Sequence, residues 1–135
     1  LLSGVSEELI LHETYAKEWD IDLTTNLIGP ATKKYTDFLE EVSLNLSLIE
    51  IMSAMTPCMR LYSWLGKELL NMIYDNPYKE WIITYSDESF DNLAKSLENL
   101  IDEYDESYDI GQVNFLYKRA MELELDFFNA YSSFS

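Results

Sequence analysis

Cysteine and histidine are almost absent from this sequence: 135 residues hold one of each, Cys58 and His12. A single thiol excludes an internal disulfide and any cysteine-rich zinc site. It fits a reducing compartment, so a cytoplasmic location is expected. One imidazole leaves no room for a histidine-based metal cluster, and neither a metal nor a cofactor is expected. Basic side chains are also scarce, 9 against 25 acidic, for a formal net charge of −16. Such a surplus repels nucleic acid and anionic membrane, so neither is expected as a partner; its ordinary effect is solubility. The sequence shows no glycine-rich phosphate loop, internal repeat or low-complexity tract. It has no secretory or transit signal and no apolar run long enough to span a bilayer. Strand-type alternation is missing too, which leaves the all-α class.

What remains is a strongly helical text. Hydrophobic residues make up 47% of the chain, enough for the core of one domain and too much for a disordered acidic tail. Residues 3–19 are predicted as a helix with Val5, Leu9, Ala16 and Trp19 on one face and Glu7, Glu8, Lys17 and Glu18 on the polar one. His12 falls at the edge of the apolar face, where a structural role is expected. This helix is already in rhythm at Leu1, without a methionine, so the chain is expected to be part of a longer protein. A connection over 19–29 ends at Gly29-Pro30, and proline suits the first turn of the helix that follows. That helix runs from about Ala31 to Leu44 on a face of Tyr35, Phe38, Leu39 and Val42. The next spans Ser47 to Ile73 and stops before Asp75-Asn76-Pro77. A short aromatic helix over 78–85 should turn Trp81, Ile82 and Tyr85 inward. Ser86 or Asp87 then caps a helix with the stripe Phe90, Leu93, Leu97, Leu100, Ile101 and Tyr104, its acidic residues on the solvated side. The acidic run DEYDESYD lacks the glycine and spacing of a calcium loop and is predicted as a connection. The last helix runs from about Gln112 to Tyr131.

Two residues sit oddly in this pattern. Cys58 follows Pro57 inside the longest helix, on the face of Ile51, Ala54, Met55, Leu61, Tyr62, Leu65 and Leu69. Pro57 should free the carbonyl of Ser53 and bend the helix. A lone inward cysteine is ordinarily a small core hydrophobe, and a nucleophile only where its surroundings activate it. Glu124 lies on the stripe Val113, Tyr117, Ala120, Phe127 and Tyr131, while Glu122 faces away within reach of Lys118. A carboxyl on a core stripe must be paired, protonated or bound. Desolvation would keep it neutral, as a general acid requires, and a hydrogen bond from a buried tyrosine would make it merely structural. With inward phenols at Tyr35, Tyr62 and Tyr85, thiol and carboxyl would enclose a pocket for a flat, nitrogen-bearing ring.

At these residues the sequence resembles the TenA, or thiaminase II, family of aminopyrimidine aminohydrolases. The resemblance rests on Pro57-Cys58 followed by Tyr62, on Trp81-Ile-Ile-Thr-Tyr85 after Asn-Pro-Tyr, on Glu124 and Phe127 in LELDFF, and on Tyr35 in KKYTDF. It implies the heme-oxygenase-like helical architecture and places the chain in the cysteine-bearing branch. Residues 1–135 would form the C-terminal two-thirds of the family domain. The helices expected before Leu1 carry an aspartate that grips the pyrimidine. The implied reaction is hydrolysis of 4-amino-5-aminomethyl-2-methylpyrimidine to hydroxymethyl-pyrimidine and ammonia in thiamine salvage, with thiamine as a further substrate of some members. Cys58 would be the nucleophile and Glu124 the proton shuttle. Tyr35, Tyr62 and Tyr85 would orient the ring, and Phe127 would line the pocket. A homotetramer is implied as well. The wording PCMRLYSWLGKE is similar to eukaryotic members fused to a phosphatase of thiamine metabolism. Two alternatives stand beside this reading: a non-catalytic pyrimidine-binding or helical-subunit fragment, and a heme or di-metal protein of the same architecture, which one histidine disfavours.

Overall fold

The structure is a computed structural model that describes residues 2–104 and 107–131. It contains six α-helices among those residues: α1 (Leu2–Glu18), α2 (Pro30–Asn45), α3 (Leu48–Leu69), α4 (Lys79–Ser86), α5 (Glu88–Asp102) and α6 (Ile110–Tyr131). Local chemistry explains most boundaries. Pro30 occupies the first turn of α2, where its missing N–H has no partner to lose. Ser47 and Glu50 form a reciprocal capping box at the start of α3. Asp87 caps α5 by accepting from the Ser89 amide at 2.8 Å, as the sequence suggested. Helix α1 closes with Asp20 in the left-handed region, φ 54°, while the Ile21 amide returns to the Ala16 carbonyl at 2.7 Å. The central helix ends sooner than the sequence reading placed it. It stops at Leu69 and tightens into a 3₁₀ turn over Leu70–Met72, a common way for the last carbonyls of a helix to find donors. It runs without interruption through Pro57. Of the acidic run predicted as a connection, residues 105 and 106 lie outside the described residues. Asp109 at its end caps α6 by accepting from the Gly111 amide at 2.8 Å.

Helix α3 is the axis of the bundle, packed against α6, α4, α5 and α2. Its N-terminal half builds the solid core. Ile49 and Met52 meet Leu97 of α5 and Val113 of α6, and Ala54 meets Val42 of α2 and Leu116 of α6. Its most buried face is a run of small and polar residues that includes Ser53, Thr56, Ser63 and Gly66. This differs from the apolar stripe of the sequence reading, most of which is half-buried. The reason is distance. A Cβ on Gly66 would lie 2.6 Å from the backbone of Tyr85 and Ser86, so α4 sits too close for a larger side chain. Ser53 and Thr56 satisfy their buried hydroxyls on the carbonyls one turn back, at 2.6 and 2.8 Å.

Other expectations also shift. Val5 and Leu9 of α1 and Trp19 just after it are exposed, while Ala16 of their face is buried; among the described residues α1 makes no close backbone contact with another helix. Leu100, Tyr117 and Tyr131 are exposed. On α6 the buried line turns through Val113, Leu116, Ala120 and Leu123, since this helix is wedged between α2 and α3 and not laid on one neighbour. Glu122 pairs with Arg119 at 3.3 Å instead of with Lys118. Asp91, assigned to the solvated side of α5, is buried. It accepts from Ser63 at 2.9 Å and pairs with Arg60, Lys67 and Lys95 at 2.7–2.9 Å. Those hydrogen bonds, from Lys95 first, hold its carboxyl below the usual range.

Two stability changes follow from these contacts. Gly66→Ala drives a methyl into backbone and should cost about 1–3 kcal/mol, read as a lower urea midpoint at unchanged m-value. Asp91→Ala should cost about 1.5–3 kcal/mol near neutral pH. The folded-state pKa of Asp91 is depressed, so its contribution is present above the ordinary value of 3.8 and lost as pH falls below it. The gap between wild type and variant should therefore close in acid.

Candidate active site

Toward the C-terminal half of α3 the packing opens into a hollow of about 990 Å³. Cys58 and Tyr62 reach it from α3, Tyr35 from α2, Tyr85 and Trp81 from α4, and Glu124 and Phe127 from α6. All six residues singled out in the sequence as site candidates therefore line one cavity. Spacing explains part of this: Cys58 and Tyr62 are one turn apart, as are Trp81 and Tyr85, so each pair presents a shared face.

Glu124 is 1% exposed, with no lysine or arginine beside it among the described residues. The Tyr35 hydroxyl donates to its Oε1 at 2.8 Å, and the Tyr62 hydroxyl to its Oε2 at 3.4 Å. Cys58 lines the same hollow, close enough for its thiol and this carboxyl each to affect the other's proton. Burial pushes the Glu124 carboxyl up, and Tyr35, Tyr62 and Cys58 oppose that shift without cancelling it. Burial first, then the negative charges of Glu124 and Glu8, push the Cys58 thiol up to about 12. Burial first, then the charge of Glu124, also raises the Tyr35 and Tyr62 hydroxyls, which stay protonated as donors. The resting site thus holds a neutral thiol beside the group best placed to take its proton. That arrangement suits attack coupled to proton transfer, in which a thiolate forms only as the bond to substrate is made.

Tyr85 lines the same hollow with a hydrogen bond of its own, apart from those of Tyr35 and Tyr62. Its ring is buried against Tyr62 and Phe90, with centroids 5.2 and 4.8 Å apart. Its hydroxyl turns away from Glu124 and donates to Glu8 Oε1 of α1 at 2.5 Å. Glu8 was read as part of a solvated face. A signal for its true position was available, because it lies one turn before His12, which the sequence placed at the apolar edge. His12 is exposed, 3.9 Å from Glu8. No group of three or more metal-binding side chains occurs among the described residues, and no described helix is long and apolar enough to cross a membrane.

Six helices around such a hollow define an all-α bundle of the heme-oxygenase-like, TenA type. The structure superposes on that of the TenA homologue protein from P. horikoshii OT3 with a TM-score of 0.83 at 24% identity, covering 93% of this chain and 61% of that one. Residues 1–133 match the TENA/THI-4/PQQC family, and the chain belongs to it. It is 31% identical to the mitochondrial bifunctional TH2 protein of Arabidopsis thaliana, over 96% of this chain and 25% of that protein. It is 33% identical to the aminopyrimidine aminohydrolase of Halalkalibacterium halodurans, over 76% of this chain and 49% of that enzyme. The chain thus spans about a quarter to a half of the length of these relatives.

The strain at Glu124 can be measured. Its folded-state pKa is raised above the ordinary 4.5, so wild-type stability should fall as pH rises through and beyond that value. Glu124→Gln carries no charge to desolvate. It should unfold at a higher urea concentration than wild type at pH 7–8, with the advantage gone near pH 4.

Proposed function

We propose that this protein is an aminopyrimidine aminohydrolase of the cysteine-bearing TenA branch. In this reading it hydrolyses 4-amino-5-aminomethyl-2-methylpyrimidine to hydroxymethyl-pyrimidine and ammonia, and also accepts thiamine. What supports the reading is the convergence of Cys58, Tyr35 and Tyr62 on the buried Glu124 carboxyl in the wall of one hollow, together with the family match.

In the proposed sequence the pyrimidine lies against the aromatic wall, oriented by Tyr35 and Tyr62, with Phe127 at its edge. Cys58 Sγ adds to an electron-poor ring carbon as its proton passes to Glu124. The electron density now in the ring expels the exocyclic group and leaves an exocyclic methylene. A neutral amine takes the proton from Glu124 as it departs; a group already cationic departs neutral, and the Glu124 proton passes to solvent. Water adds to the methylene and gives a proton to Glu124. The carbon–sulfur bond then breaks, the ring is restored, and the thiol recovers its proton from Glu124. The sum is substrate plus water giving alcohol plus amine, with one proton released where the substrate was cationic. Two carboxyl roles fall on one residue because burial raises Glu124, and a raised carboxyl more readily holds the proton that it takes and later returns.

The reading also keeps three features of the resemblance as proposals. Residues 1–135 supply the later two-thirds of the family domain. The assembly is a homotetramer, for which the exposed Phe115 and Leu125 on α6 offer apolar surface. The setting is cytoplasmic.

Cys58→Ala and Glu124→Gln should each lower ammonia release from the aminomethyl-pyrimidine by at least about 10³-fold, the scale of losing a nucleophile or its proton partner. Helix content by circular dichroism should be unchanged. Near-normal turnover in either variant removes that residue from the mechanism. Pyrimidine binding by a wild-type protein that releases no ammonia would instead favour a non-catalytic binding module, a reading to which the neutral resting thiol lends itself.

A further inference from the structure

The hollow is lined on its α1 side by a second carboxyl that the reaction sequence above does not use. Glu8 accepts the Tyr85 hydroxyl at 2.5 Å, and Tyr85 is itself 1% exposed and wedged between the rings of Tyr62 and Phe90. A long, half-exposed side chain of α1 is thereby tied to a fully buried aromatic residue of α4. The tie costs Tyr85 its single donor proton, so it is Glu8 that presents polarity to the cavity on this side. Glu8, Cys58 and Tyr62 all line the same hollow. Among the described residues Glu8 has no lysine or arginine partner, only His12 at 3.9 Å. The lining of the hollow likewise includes no lysine or arginine, only Glu7, Glu8 and Glu124 with His12. A cavity with acidic groups, no fixed cation and several ring faces has its unmet demand for positive charge built in.

From this we infer that Glu8 is a specificity residue that favours ligands carrying a cationic exocyclic group over the neutral alcohol that turnover produces. The inference rests on the proposed hydrolysis, whose chemistry supplies the contrast. A primary alkyl amine is protonated at neutral pH, and the thiazolium of thiamine is permanently charged. The hydroxymethyl product carries no charge at the same position. A carboxylate fixed beside the exocyclic group stabilises the first two and does nothing for the third. Substrate is held and product is let go by the same wall. Tyr85 acts as a positioning residue in this scheme, through Glu8.

Equilibrium binding to the Cys58→Ala protein, which prevents turnover, tests this by calorimetry with two pyrimidines that differ only in the exocyclic group, aminomethyl and hydroxymethyl. Adding Glu8→Gln should weaken the aminomethyl compound about tenfold, the scale of one partly solvated charge pair, and leave the hydroxymethyl compound within about twofold. Glu8→Asp keeps the charge and should retain part of the preference, including where α1 is loosened by the shorter side chain. Loss of affinity for both ligands in parallel would mean that Glu8 only holds α1 to α4, and would overturn the inference. An unchanged ratio would overturn it too. Failure of the wild-type protein to release ammonia sinks the hydrolase reading instead, so the two outcomes are distinguishable.

Discussion

The arrangement of the bundle depends on how closely α3 and α4 approach at Gly66. With a hydrogen in place of a side chain, the backbone of Tyr85 and Ser86 lies within 3 Å of where a Cβ would stand. That approach lets one helix be packed on several sides and still leave an opening further along. It also drives Tyr85 into the interior, where its ring separates Tyr62 from Phe90. Beside the same contact, Ser63 donates to Asp91, whose carboxylate gathers three cations from α3 and α5. Breaking either contact would loosen the wall that carries two of the site's phenols.

The opposite wall works under a different constraint. A carboxyl removed from water must be surrounded by donors or remain protonated. Glu124 meets both conditions partway: two phenols donate to it, yet burial still raises it. The phenols and the neighbouring thiol are affected in return, because burial and the negative charge of Glu124 make their own deprotonation harder. The group thus favours keeping its protons among its own members over releasing them.

Much of the helical order was visible from periodicity and end signals, because these are local properties. Pro30, Asp87 and the spacing of Cys58 to Tyr62 act within one or two turns, and the structure keeps them. Glu124 stood out for the same reason: a carboxyl in an apolar row conflicts with its immediate neighbours. The misreadings share the opposite character. Asp91 looked solvated because nothing nearby in sequence says that Arg60, Lys67 and Ser63 will face it across a helix interface. Tyr117 and Tyr131 looked inward because a regular stripe does not state how wide the covering neighbour will be.

The amino-acid order alone determined that this chain is helical, roughly where each helix begins, and which thiol and carboxyl are out of place in their rows. Hydrogen bonding and side-chain spacing along one helix are enough for that. Tertiary structure alone decided that these two groups share a hollow, that Tyr85 answers to Glu8 and not to Glu124, and that the buried face of α3 is its small, polar one. Those facts depend on distances between segments up to 77 residues apart, set by the closeness of backbones and the shape of the remaining space.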